Sequence, residues 1–138
     1  MIADGTFQVS GFAPVALEVE QVTTGLGVGV ATMVKEYAGG VEGRSTTLFT
    51  SAFDPERGVG TYVALESFEG ALGGVGGTFN FVHAATTHGT DRVDLAFAVV
   101  PSSGTGGLEG ITGAGSMRVD DDGTHRVRFE FELPGRTS

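Results

Sequence analysis

Apolar and polar residues alternate along most of this chain in short runs separated by glycine, as in FEGALGGVGGTFNFVH from Phe68 to His83 and MRVDDDGTHRVRFEFEL from Met117 to Leu133. A period of two puts successive side chains on opposite faces of a strand, and the Val, Thr, Phe and Tyr in these runs suit a pleated surface. The pattern predicts eight strands, near residues 5–12, 26–38, 42–53, 59–69, 76–85, 92–100, 113–120 and 125–133. Residues 13–25 alternate only in part and either prolong the first strand or form a loop.

Two hairpins can be registered from their turns. A two-residue turn at Gly73-Gly74 sets Phe68 opposite Phe79, Glu66 opposite Phe81, Ala64 opposite His83 and Tyr62 opposite Ala85. Cross-strand partners share a face, so Phe68, Phe79 and Phe81 mark the interior and carry Glu66 and His83 inward with them. A three-residue loop Asp121-Asp122-Gly123 pairs Met117 with Val127 and Val119 with His125, and Phe129 and Phe131 continue that apolar face.

Eight antiparallel strands with one apolar face remove their exposed edges by closing on themselves, and the expected fold is all-β, a single closed eight-stranded antiparallel barrel spanning residues 1–138 as one domain. Such a barrel is just wide enough to be filled by side chains or to hold one small ligand. The 24 glycines argue against helices, because each interior glycine costs a helix about 1 kcal/mol.

Composition narrows the partners. A net charge of -9 repels phosphate backbones, so nucleic acid is not an expected partner. The longest uncharged window, residues 70–90, is too broken by glycine and polar groups to cross a bilayer as a helix, and no membrane association is expected. The chain has no Cys, and its first basic residue is Lys35, which leaves no basic n-region; a cytoplasmic location is the expectation.

The glycine-rich stretch VPSSGTGGLEGITGAGS, Val100 to Ser116, lacks the Lys-Ser/Thr of a phosphate loop and leads into a hairpin rather than a helix. It reads as a connection whose Leu108 and Ile111 tuck over one end of the barrel. Together with KEYAGGVEG and YVALESFEGALGGVGGTFNFVH, this stretch resembles a bacterial family catalogued only as a domain of unknown function, number three-two-two-four, from about Val30 onward. The resemblance implies an allene-oxide-cyclase-like, lipocalin-like (calycin-like) barrel. That wider group includes isomerases and cyclases, among them enzymes that fold polyketide chains, working by shape inside an apolar cavity.

Glu66 and His83 are the expected catalytic pair. A carboxylate on an aromatic interior face loses hydration, which is expected to raise its pKa toward general acid or base use, and a nearby imidazole tunes the same proton. The alternative is a structural Glu satisfied by Tyr62, His83 or an arginine. Tyr62, Phe68, Phe79, Phe81 and Phe129 are the expected substrate-binding residues. Lys35 and Tyr37 share one side of the second strand, whose inner face is not clear, and read as ordinary surface residues, with rim contacts as the alternative. His83, His88 and His125 lack zinc spacing, and the DDDG run lacks the alternate carboxylates of a calcium loop, so no metal or other cofactor is expected. The expected function is a small-molecule isomerase or cyclase acting on a mostly apolar substrate in the lumen, as a homodimer. The alternative is a carrier for a hydrophobic metabolite.

Overall fold

The computed structural model describes residues 1–135. Its strands are β1 (Ile2–Val15), β2 (Val28–Gly39), β3 (Val41–Asp54), β4 (Val59–Leu72), β5 (Val75–His88), β6 (Asp91–Val99), β7 (Thr105–Gly106), β8 (Thr112–Val119) and β9 (His125–Glu132). All pair antiparallel in one sheet. The β4–β5 pairing brings the two ends of the strand order together, so β1, β2, β3, β4, β5, β6, β8 and β9 form a ring. Among the described residues no helix is long and apolar enough to cross a membrane.

Both predicted hairpins have the expected register. Gly73 and Gly74 sit at φ 57° and 83°, the double left-handed conformation of a tight hairpin turn, and Leu72 faces Val75. Phe68 then pairs with Phe79, Glu66 with Phe81, Ala64 with His83 and Tyr62 with Ala85. At the other hairpin Gly123 adopts φ 89°, Val119 pairs with His125 and Met117 with Val127. The uncertain segment divides: β1 runs to Val15 past a register shift between Ser10 and Ala13, and residues 16–27 form no strand.

The ninth strand, β7, went unpredicted because it has only two residues, too few for any alternation. Thr105 and Gly106 pair with Thr78 and Gly77 of β5, beyond the point where β6 stops. The connection then turns inward, and Leu108 and Ile111 are fully buried at that end of the ring. Phe68, Phe79, Phe129, Phe131, Leu72 and Val41 fill the space beside them.

The ring is stitched unevenly. The β3–β4 and β4–β5 ladders run the length of their strands, whereas β6 and β8 share one partner pair, Ala98 and Ala114. Beyond that pair β6 and β8 run side by side without ladder partners, with Phe97 against Gly115. Strand β1 similarly outruns β9, whose pairing stops at Phe7 and His125.

One crossing between β3 and β4 demands glycine on both sides. Gly43 and Gly70 are partners, with φ 134° and 152°, and a Cβ on Gly70 would collide with the Glu42 carbonyl oxygen. Gly70→Ala is expected to lower the urea-unfolding free energy by about 2–4 kcal/mol, through strain and that collision. Gly76→Ala, whose Cβ meets only the Gly70 carbonyl oxygen at 3.7 Å, is expected to change it by less than about 0.5 kcal/mol.

Candidate functional site

Alternation along β4 points Glu66 inward between Ala64 and Phe68, and all three are buried. The same rule on β5 aims Phe79, Phe81 and His83 at it. Strand β3 contributes Ser45 and Thr47, and β2 contributes Lys35 and Tyr37. The polar cluster lies between the phenyl-filled end of the ring and the half where the β6–β8 ladder is missing.

Glu66 is fully buried, and its lone pairs are taken by short contacts. Oε1 accepts from Ser45 Oγ at 2.6 Å and Thr47 Oγ1 at 2.9 Å, with Tyr37 Oη at 3.3 Å. Oε2 accepts from Lys35 Nζ at 2.7 Å and from His83 Nε2. A carboxylate offers about four acceptor positions, so Glu66 is saturated. Lys35 is also held over the Phe7 ring, 5.1 Å from its centroid.

These partners reverse the expected direction of the Glu66 pKa. Burial pushes it up, but the His83 hydrogen bond, the Lys35 charge and hydrogen bond, and the Ser45 hydroxyl together hold it at about 2. The sequence points to desolvation alone, because it leaves Lys35 and Tyr37 at the surface or rim. They are instead interior residues, 5% and 6% exposed. Burial lowers the Lys35 pKa against the pull of Glu66, and lowers that of His83 against its hydrogen bond to Glu66.

The carboxylate fixes the imidazole tautomer. Glu66 accepts, so Nε2 carries the proton and Nδ1 is free to accept from the Tyr62 hydroxyl at 2.8 Å. Arg92 Nη2 donates to the same Tyr62 oxygen at 2.9 Å, and Arg92 Nε donates to Asp94 at 3.0 Å. Hydrogen bonds therefore run one way from Arg92 through Tyr62 and His83 to Glu66. Burial raises the Tyr62 pKa, which keeps its proton in place.

This chain ends in a cleft of about 200 Å³ at the gap between β6 and β8, where His83, Arg92, Asp94, Phe97, Gly115 and Met117 are among the lining residues. A larger hollow, about 920 Å³, is an open depression whose lining includes Met1, Leu72 and Phe131 and none of these polar residues. Among the expected binding residues, Tyr62 alone is half-buried. Phe68, Phe79, Phe81 and Phe129 pack on one another with centroids 5.1–5.9 Å apart. His83 packs against both Phe81 and Phe97, at 5.9 and 5.5 Å, and those two rings stack on each other at 5.3 Å.

Arg92, Ser45 and Thr47 were not singled out in the sequence. Ser45 and Thr47 carried a signal in retrospect, as small hydroxyl residues two apart across from Phe68 and Glu66. Arg92 carried none, because a bulge at Ala84 and Ala85 shifts the β5–β6 register that would place it. Among the described residues no group of three or more His, Asp or Glu side chains is gathered as a metal site.

The chain belongs to the family described as "Protein of unknown function (DUF3224)", whose profile matches residues 3–131. A crystal structure of a protein with unknown function from the same family, from Shewanella oneidensis MR-1, is similar to it with a TM-score of 0.82 and 30% sequence identity. The likeness covers 96% of this chain and 97% of that one. Comparison with curated proteins gives no match.

Removing the central carboxylate leaves a buried ammonium without its counterion, so Glu66→Gln is expected to destabilise the fold by about 3–5 kcal/mol in urea titration. The acid limb has a defined sign. Glu66 ionises at about 2 in the fold against an ordinary 4.5, so its stabilisation is complete above pH 4.5 and is lost as pH falls toward 2, about 3 kcal/mol in all. His83 adds a loss that begins below its ordinary 6.5, because the unfolded imidazole takes a proton that the buried one resists. Urea midpoints measured from pH 7 to pH 2 check both, and Glu66→Gln flattens the lower part.

Proposed function

We propose that the ring is a closed barrel of the allene-oxide-cyclase-like, lipocalin-like kind, and that it acts as a cofactor-independent isomerase or cyclase on a mostly apolar small molecule. The substrate enters through the gap between β6 and β8. The observation that carries this reading is the one-way hydrogen-bond chain from Arg92 through Tyr62 and His83 to Glu66, which opens onto the His83–Phe97 cleft.

Tyr62, whose hydroxyl bonds to the cleft-lining His83 and Arg92, is the group assigned to take the substrate proton. When its oxygen takes a substrate proton, its own phenolic proton moves to His83 Nδ1, and Glu66 balances the imidazolium. Arg92 stabilises negative charge at the phenol oxygen and on a substrate carbonyl beside it. Return of the same proton at another carbon completes an isomerisation with no net change in protons. Glu66 is here a positioning residue, because a saturated carboxylate ionising at about 2 is too weak a base to abstract a proton from carbon.

The second reading, a carrier, is favoured by that same saturation: every acceptor position of Glu66 is used within the protein, as a purely structural ion cluster requires. Native mass spectrometry of the protein mixed with a bacterial metabolite extract separates the two. One small molecule per chain is expected, lost in Met117→Trp, which fills the cleft. Conversion of that molecule is expected to fall by about 100-fold or more in His83→Gln and Tyr62→Phe, with occupancy retained. Conversion undiminished in both variants removes their proton-transfer role, and binding with no conversion by the native protein assigns the carrier.

A further inference from the structure

The outward face of β2 to β6 carries no charge over four successive rows of cross-strand partners, from Val34 at one corner to Val93 at the other. Charges resume just beyond, at Glu36, Arg44 and Glu69 on one border and at Asp54 and Asp91 on the other. The opposite side of the ring is different: β1, β8 and β9 turn Asp4, Arg118, Arg126, Arg128, Glu130 and Glu132 outward. In a chain of net charge -9, a neutral field of that extent is not the ordinary solvated face of a sheet.

The field has relief. Leu48, Val63 and Leu65 project from β3 and β4 with 60%, 50% and 48% of their surface exposed. Level with them on β5 and β6 lie Val82, Ala84, Ala96 and Ala98, where the three alanines lower the surface beside the exposed Val93 and Leu95. The five strands take four of the ring's eight inter-strand steps, so the field curves around half of it and its crown, on β4 and β5 with β3 and β6 beside them, is the part a second surface meets first.

We propose that this face is a homodimer interface in which two copies pack their β2–β6 sheets face to face. A two-fold axis along the strands, in the plane of contact between β4 and β5, sets β3 and β4 of one copy against β5 and β6 of the other. Val63 of each copy then faces its partner at the row of Ala84 and Leu48 at the row of Ala98, while Leu65 packs on the row of Val82, an apolar match that repeats itself across the two-fold as an isologous contact needs. Charge favours the same occupant: two copies of net charge -9 repel wherever carboxylates meet, and this face brings none together. A lipid surface suits it less, because the field has no Lys or Arg to meet anionic headgroups. The surface lies outside the ring, so the inference does not depend on the chemistry proposed for the interior.

Light scattering during gel filtration tests it. The native protein is expected at twice the 14.1 kDa of one chain, and Leu65→Glu and Ala96→Glu at 14.1 kDa with unchanged circular dichroism. Glu132→Arg, on the charged side, is expected to leave the dimer intact. The chain has no cysteine, so Val63→Cys treated with a short bis-maleimide is expected to link two copies, while Glu130→Cys does not. A native protein that is monomeric at about 100 µM, a concentration at which even weak homodimers assemble, overturns the proposal. So does a dimer that survives both glutamate substitutions, or one linked through Glu130→Cys. Flotation of the native protein but not Leu65→Glu with phosphatidylcholine vesicles assigns the face to a lipid surface instead.

Discussion

A carboxylate taken from water into a ring of phenyl groups costs several kcal/mol unless every lone pair is met, and the arrangement around Glu66 follows from that requirement. Its donors come from three strands: Lys35 from β2, Ser45 and Thr47 from β3, and His83 from β5. Slipping any of these strands by one residue turns its donor to the outside and leaves a bare charge within. The cluster therefore selects one register for the whole β2–β5 block, a discrimination that hydrophobic packing alone makes weakly where both faces of a strand hold apolar residues.

The same cluster divides the interior. On one side of it the phenyl rings, Leu108 and Ile111 pack without polar interruption, and the long connection after β6 closes that end. On the other side the β6–β8 ladder gives out and the side chains facing inward become Tyr62, Arg92, Asp94 and Met117. Rigidity and access are thus separated along the axis of the ring. His83 stands at the boundary, with one nitrogen committed to the buried carboxylate and the other to the half-buried phenol.

How much of this was legible follows from how local each signal is. The β4–β5 register could be read because Gly73-Gly74 admits one tight turn and alternation fixes the rest by counting, which brought Glu66, His83 and Tyr62 inside together. The sign of the Glu66 pKa was not legible, because it depends on Lys35, thirty-one residues away on a strand whose inner face the sequence leaves open. In VGVATMVKEYAG the outward positions include Val28, Val30 and Val34, while Lys35 points in. Hydrophobicity on that strand names the wrong face. Arg92 was hidden by the bulge in the β5–β6 pairing, and bulges leave little trace in a single sequence.

That inversion is not confined to β2. On β3, Ser45 and Thr47 face inward while Leu48 faces outward, and on β4 Glu66 faces inward while Val63 and Leu65 face outward. Three neighbouring strands thus hide polar groups and display apolar ones, contrary to the usual partition. The two halves of the pattern call for separate explanations. Inside, polar groups are tolerated because they satisfy one another, and their cost is offset by the single register they select and by the tautomer they impose on His83. Outside, leucine and valine stand against water, and the dimer contact proposed above is what would cover them. The strands that carry the proposed chemistry inside therefore also carry the proposed contact outside, so the two proposals are separable by mutation: inward and outward positions of one strand test different ones.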